Sequence, residues 1–102
     1  MEWNSLSNTA VIQEIGKRIK VYRLRKKITQ LELAERAGIS LYTVAQIEQG
    51  KSVSLSMLIP VLRALRLLDN LDLFLPGMGP SPVDMMRHKG KIPQRIRSQK
   101  KE

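Results

Sequence analysis

The sequence predicts an all-α fold: five short helices forming one compact domain over residues 7–75, then a linker, a short C-terminal helix and a basic tail over residues 76–102. Three observations predict it. A helix-start device recurs four times, a Ser or Thr at the N-cap with an apolar residue just before it and another four positions after it. Glycine or proline stands where three of the five stretches end, at Gly38, Gly50 and Pro76. No stretch alternates apolar and polar residues as a half-buried strand does.

Leu6-Ser7 with Val11 opens the first helix, which runs through Ile12, Ile15, Ile19 and Tyr22 at helical spacing to about Lys26. Ile28-Thr29 with Leu33 opens the second, and Glu32 completes a Thr-x-x-Glu capping box that pairs two otherwise orphaned backbone donors. Gly38 follows Ala37, where a left-handed helix end favours a residue without a Cβ. Ile39-Ser40 with Val44 opens the third helix, which stops at Gly50 by the same logic. Val53-Ser54 with Leu58 opens the fourth, whose core stripe is Leu58, Val61, Leu62 and Leu65. Pro60 interrupts that helix past its first turn, removing a backbone hydrogen bond, so a kink or a loosened start is expected. Residues 67–75 are Leu-rich and contain a fifth helix ending at Pro76. Beyond the 76–80 linker, Ser81-Pro82 with Asp84 opens a short helix to about Lys89, and residues 91–102 have too little apolar content to order themselves when free.

At 102 residues the chain can build one modest core. It contains no Cys, so disulfides, thiolate metal sites and Cys nucleophiles are excluded, and a reducing cytoplasm suits it. No apolar run is long enough for a membrane span, and the first eight residues lack the plan of a signal peptide. Formal charge is +9. Residues 1–80 hold 11 Lys and Arg against 7 Asp and Glu, while residues 81–102 hold 7 against 2, so the tail is the more basic part. Lys17, Arg18, Lys20, Arg23, Arg25, Lys26 and Lys27 form a second run without an acid. Each run reads either as a phosphate-facing surface or as a solvated face. His88, the one histidine, has no Cys or acid cluster near it in sequence, and no phosphate loop or catalytic triad is present. No enzyme activity, metal or cofactor is expected. Met57, Met78, Met85 and Met86 read as gap-fillers, and Trp3 as a cover for the domain's own core.

Two short helices joined at Gly38 are a helical hairpin of weak specificity. The residue types sharpen it. Ala34 is small where the second and third helices must approach, and Leu33, Ile39, Val44 and Ile47 line the inside of the bend. Leu41, Tyr42, Thr43 and Gln46 are left facing outward. Through Thr29-Gln-Leu-Glu-Leu-Ala-Glu-Arg-Ala-Gly-Ile-Ser40 and Val44-Ala-Gln-Ile-Glu-Gln-Gly-Lys51, the chain resembles the helix-turn-helix family of phage repressors and bacterial Xre-type regulators over about residues 15–75. That resemblance implies a lambda-repressor-like domain that binds double-stranded DNA with the start of its third helix in the major groove. The flanks, residues 3–15 and 67–76, are similar to the HipB-type subgroup, antitoxins encoded beside a HipA-type kinase toxin.

Carried onto this sequence, the resemblance implies that Gln30 grips a phosphate and braces the recognition helix. It implies that Leu41, Tyr42 and Gln46 reach base edges, with Ser40 and Thr43 beside them, and that Lys51 and Ser52 clamp the backbone at the other end. Gln46 suits bidentate pairing with adenine, and Leu41 suits a thymine methyl. Arg23 and Glu48 match a pair that ties the first helix to the end of the third. Three departures stand out: Arg66 replaces a common helix-ending glycine, Pro60 stands inside the same helix, and Leu41 replaces a commoner polar residue, which leaves a protein contact as its alternative role. The expected partners are an inverted-repeat operator, a second copy of the chain making a homodimer through the Leu-rich 67–75 stretch, and a HipA-type kinase. The alternatives are a stand-alone Xre-type regulator and a nonspecific basic nucleic-acid binder.

Overall fold

The computed structural model describes residues 1–79. The expected helix over 81–89, with Met85, Met86 and His88, and the basic tail over 91–102 lie outside the described residues. In chain order the elements are a 3₁₀ turn (Trp3–Ser5), α1 (Asn8–Arg25), α2 (Gln30–Ala37), α3 (Leu41–Glu48), α4 (Leu55–Ala64), a second 3₁₀ turn (Leu68–Asn70) and α5 (Leu71–Phe74). Among the described residues there are five α-helices and no strand, so the expected all-α fold is the one observed. None of these helices is long and apolar enough to cross a membrane.

Three of the four expected caps form. Ser7 Oγ accepts from the Ala10 N–H at 3.1 Å and Ser40 Oγ from the Thr43 N–H at 3.0 Å. The α2 box is complete: Thr29 Oγ1 accepts from the Glu32 N–H at 3.0 Å, and Glu32 Oε1 accepts from the Thr29 N–H at 2.7 Å. Ser54 occupies its N-cap position without capping, and its hydroxyl instead lies 2.8 Å from that of Ser56. Pro60 sits inside α4, which runs on to Ala64. Replacing Thr29 with Ala should therefore cost about 1 kcal/mol, whereas Ser54→Ala should be close to neutral; urea unfolding of the two variants checks the contrast.

One bond pattern closes four helices. The N–H groups of Lys27 and Ile28 donate to Leu24 and Arg23, those of Gly38 and Ile39 to Glu35 and Ala34, those of Gly50 and Lys51 to Ile47 and Gln46, and those of Arg66 and Leu67 to Arg63 and Leu62. Each is a Schellman closure, with its first donor in the left-handed region. The φ angles are +58° at Lys27, +71° at Gly38, +81° at Gly50 and +62° at Arg66. Ile28 and Ile39 each serve twice, as the apolar residue sealing one helix and as the one preceding the next N-cap. This sharing lets α1, α2 and α3 follow one another with almost no loop.

The core is Ile19, Ile28, Leu33, Ala34, Val44, Ile47, Val61 and Leu65, with Ile39, Leu58 and Leu62 among the side chains packed against it. Helix α2 packs on α3 and α4, and α1 packs on α3. The inward line of α1 differs from the expected Ile12–Ile15–Ile19–Tyr22 stripe. Gly16, Ile19 and Arg23 are the buried residues of this helix, whereas Ile15 and Tyr22 remain exposed. Gly16 sets that face because α3 crosses directly over it: a Cβ built there would lie 2.2 Å from the Ile47 carbonyl oxygen. Trp3 is not a core cover. It is 38% exposed, and the Arg18 guanidinium lies 4.7 Å from its ring centroid.

The chain divides into a unit of Met1–Leu71 and a second beginning at Asp72. In the described part of the second unit, Leu73, Phe74, Leu75 and Met78 are exposed.

Candidate nucleic-acid interface

Helix α3 presents its inner face, Val44 and Ile47, to the core. At 3.6 residues per turn the opposite face holds Tyr42, Gln46 and Gln49, with Ala45 beside them. Leu41 is 45% and Tyr42 69% exposed. The Gln46 Nε2 amide donates to Tyr42 Oη at 3.3 Å, so the two side chains form an i, i+4 pair along the outer face. Ser40 and Thr43 are turned toward each other, their hydroxyls 2.8 Å apart, and this closes the first turn of α3. Gln49 was absent from the sequence-based set. It is exposed one turn beyond Ala45 and Gln46, and continuing the 3.6-residue period of Tyr42 and Gln46 past the helix end is the signal that would have found it.

Beneath α3 lies a buried polar tie. Arg23 Nε donates to Glu48 Oε2 at 2.6 Å and Arg23 Nη2 to Glu48 Oε1 at 3.1 Å, a two-pronged pair whose side chains are 8% and 3% exposed. The third nitrogen, Nη1, donates to the Ile28 carbonyl at 2.8 Å. The same Glu48 Oε1 accepts from Gln30 Nε2 at 3.0 Å. One carboxylate thus joins α1, the first residue of α2 and the end of α3. Such charge-assisted, two-pronged geometry fixes orientation as well as distance. Gln30 is half-buried, its amide oriented by this network.

The expected small residues divide by role. Ala34 is buried in the α2–α3 contact and Gly38 supplies the left-handed turn between those helices. A close helix crossing is made at Gly16, where α3 leaves no room for a Cβ, a position that the apolar spacing of α1 does not signal. Gly50 presses on α1 as well: a Cβ there would lie 2.9 Å from Gln13 Cα. Lys51 and Ser52 follow, both exposed, and they border a shallow apolar groove with Ile12, Ile15 and Leu58. The basic run of α1 is thinner than its sequence. Arg23 is buried, and Arg18 donates to Glu14 at 2.9 Å, so Lys17, Lys20, Arg25, Lys26 and Lys27 are the members left exposed and unpaired among the described residues. No group of three or more His, Cys, Asp or Glu able to hold a metal occurs among the described residues.

Two abutting helices set at a glycine turn, the second with a polar outer face, are the geometry of a DNA-reading hairpin. The helix-turn-helix family model matches residues 19–68. Residues 19–68 are a helix-turn-helix domain. The match spans α2 to α4 with the end of α1, and it supports the Xre and phage-repressor family of DNA-binding transcription regulators. No curated protein matches the chain.

Proposed function

We propose that the protein is a sequence-specific transcriptional repressor that binds an inverted-repeat operator as a homodimer in the cytoplasm, without a catalytic step, metal or cofactor. The observation that carries this reading is the exposed Tyr42–Gln46 pair on a helix whose far end is held by the buried Arg23–Glu48–Gln30 tie. With Nε2 committed on one side to Tyr42, Gln46 keeps its Oε1 acceptor and one N–H, the complement of the adenine edge in the major groove. Leu41 supplies the apolar contact that a thymine methyl accepts, and Gln30, Ser40, Thr43, Lys51 and Ser52 face the phosphates or flank the bases. Two protomers would set their recognition helices about 34 Å apart, or a multiple of it. The exposed Leu73, Phe74 and Leu75 offer apolar surface for that pairing.

DNA selected from a random pool supplies the operator for the test. Gln46→Ala should weaken operator binding by about 1–3 kcal/mol and leave binding to random duplex nearly unchanged. Equal weakening on both would remove Gln46 as a base reader. Affinity that is the same for every duplex and falls steeply with salt would instead identify a nonspecific binder.

A finer reading makes this repressor the autoregulating antitoxin of a HipA-type kinase. It is favoured by the resemblance of residues 3–15 and 67–76 to the HipB-type flanks. It requires a kinase-like gene next to this one and co-purification of its product. Absence of both leaves a stand-alone regulator.

A further inference from the structure

One concavity of about 490 Å³ is lined by Arg36, Arg63, Ala64, Arg66, Leu68 and Asp69. Three guanidinium-bearing residues share it with a single carboxylate. None of the three takes part in an ion pair among the described residues, where the pairs are Arg18–Glu14 and Arg23–Glu48. It shares no residue with the DNA-facing set. Helix α4 starts at Leu55, three residues after Ser52, and Arg63 lies eight residues further, about 12 Å along the helix axis.

Helix polarity favours cations in a last turn, which accounts for Arg36 and Arg63 taken singly. It does not account for Arg66. That residue lies beyond α4 at φ +62°, in the left-handed region where a side chain other than glycine is disfavoured. Its backbone closes the helix, which glycine would do without strain, and its exposed side chain makes no hydrogen bond among the described residues. The fold therefore holds an arginine where the backbone favours glycine, and that arginine joins the two others.

We infer that this concavity is a binding site for a small phosphorylated anion of diphosphate size. Planar guanidinium groups match phosphate oxygens two at a time, and three of them against one carboxylate leave the concavity net positive. A bound anion would bridge the end of α2 to the end of α4. The site does not depend on the repressor reading.

Arg66→Gly separates the two roles that this residue can have, because relief of backbone strain predicts a fold at least as stable while loss of a ligand predicts weaker binding. Full-length protein would be titrated with inorganic pyrophosphate and followed through its backbone and arginine side-chain N–H resonances. Saturable shifts at Arg36, Arg63 and Arg66 are expected, with affinity at least tenfold weaker in Arg66→Gly and in Arg36→Ala, and with the Arg66→Gly melting temperature no lower than that of the parent. Affinity within twofold of the parent in Arg66→Gly overturns the site. So do shifts centred on Lys17, Lys20 and the 91–102 tail. Parallel loss of duplex and pyrophosphate binding in Arg66→Gly would make the concavity a DNA phosphate contact, which also overturns it.

Discussion

Replacing Glu48 with alanine is expected to lower stability by about 3–5 kcal/mol, the range for removing one partner of a buried ion pair. The size of the effect comes from what stays behind. Arg23 would keep only the Ile28 carbonyl for a guanidinium that is 8% exposed, and the Gln30 amide would lose its acceptor. A domain this small has a total stability of about 5 kcal/mol or little more, so a large fraction of the variant should be unfolded at 37 °C. Urea unfolding checks the loss. A cost below about 1 kcal/mol would put the pair in the class of surface bridges. Replacing both partners by apolar residues, Arg23→Met with Glu48→Leu, should recover most of the stability, because no uncompensated charge remains. DNA binding should not recover with it. The apolar pair lacks the two-pronged geometry that orients the end of α3, and it leaves Gln30 untethered at the start of α2.

The second large effect is expected at Gly16. Alanine in the middle of an exposed helix normally stabilises it by about 1 kcal/mol over glycine, but here the added methyl would meet backbone. The Ile47 carbonyl oxygen would lie 2.2 Å away and the Gly50 nitrogen 3.2 Å away. Backbone cannot rotate aside as a side chain does, so α1 and α3 must separate, and overpacking of this kind costs about 1–3 kcal/mol or more. We expect Gly16→Ala to lose about 2 kcal/mol net and Gly16→Val to fail to fold. Because the clash lies at the α1–α3 crossing, operator affinity of folded Gly16→Ala should fall as well. Thermal melts and operator titrations on the same samples read both effects, and a variant as stable as the parent would show that the crossing is looser than its geometry.

Much of the helix plan was legible because it is local. An N-cap hydroxyl needs only the backbone three residues ahead, and a capping box only Thr29 and Glu32, so these bonds follow from adjacent residues whatever the rest of the chain does. Gly38 and Gly50 announced left-handed ends for the same reason. Lys27 did not, since nothing in a lysine signals a positive φ; the closure of α1 and the burial of Ile28 impose it. The outward set on α3 was legible up to the helix end and missed Gln49 just beyond it.

The facing of α1 was a different matter. Apolar periodicity selected Ile15 and Tyr22, yet the buried line runs through a glycine and an arginine. Burial there is decided by how close α3 comes and by a carboxylate 25 positions away, quantities that spacing within one helix does not contain. By itself, then, the sequence determined the number and limits of the main helices, the turn between α2 and α3, and most of the outer face of α3. Tertiary structure alone decided which surface of α1 is inside, that α3 crosses α1 directly over Gly16, that Glu48 binds both Arg23 and Gln30, and that Arg36, Arg63 and Arg66 meet in one concavity. Hydrogen bonds spanning three or four residues are encoded locally, whereas close approach and charge pairing depend on distances that exist only once the helices have packed.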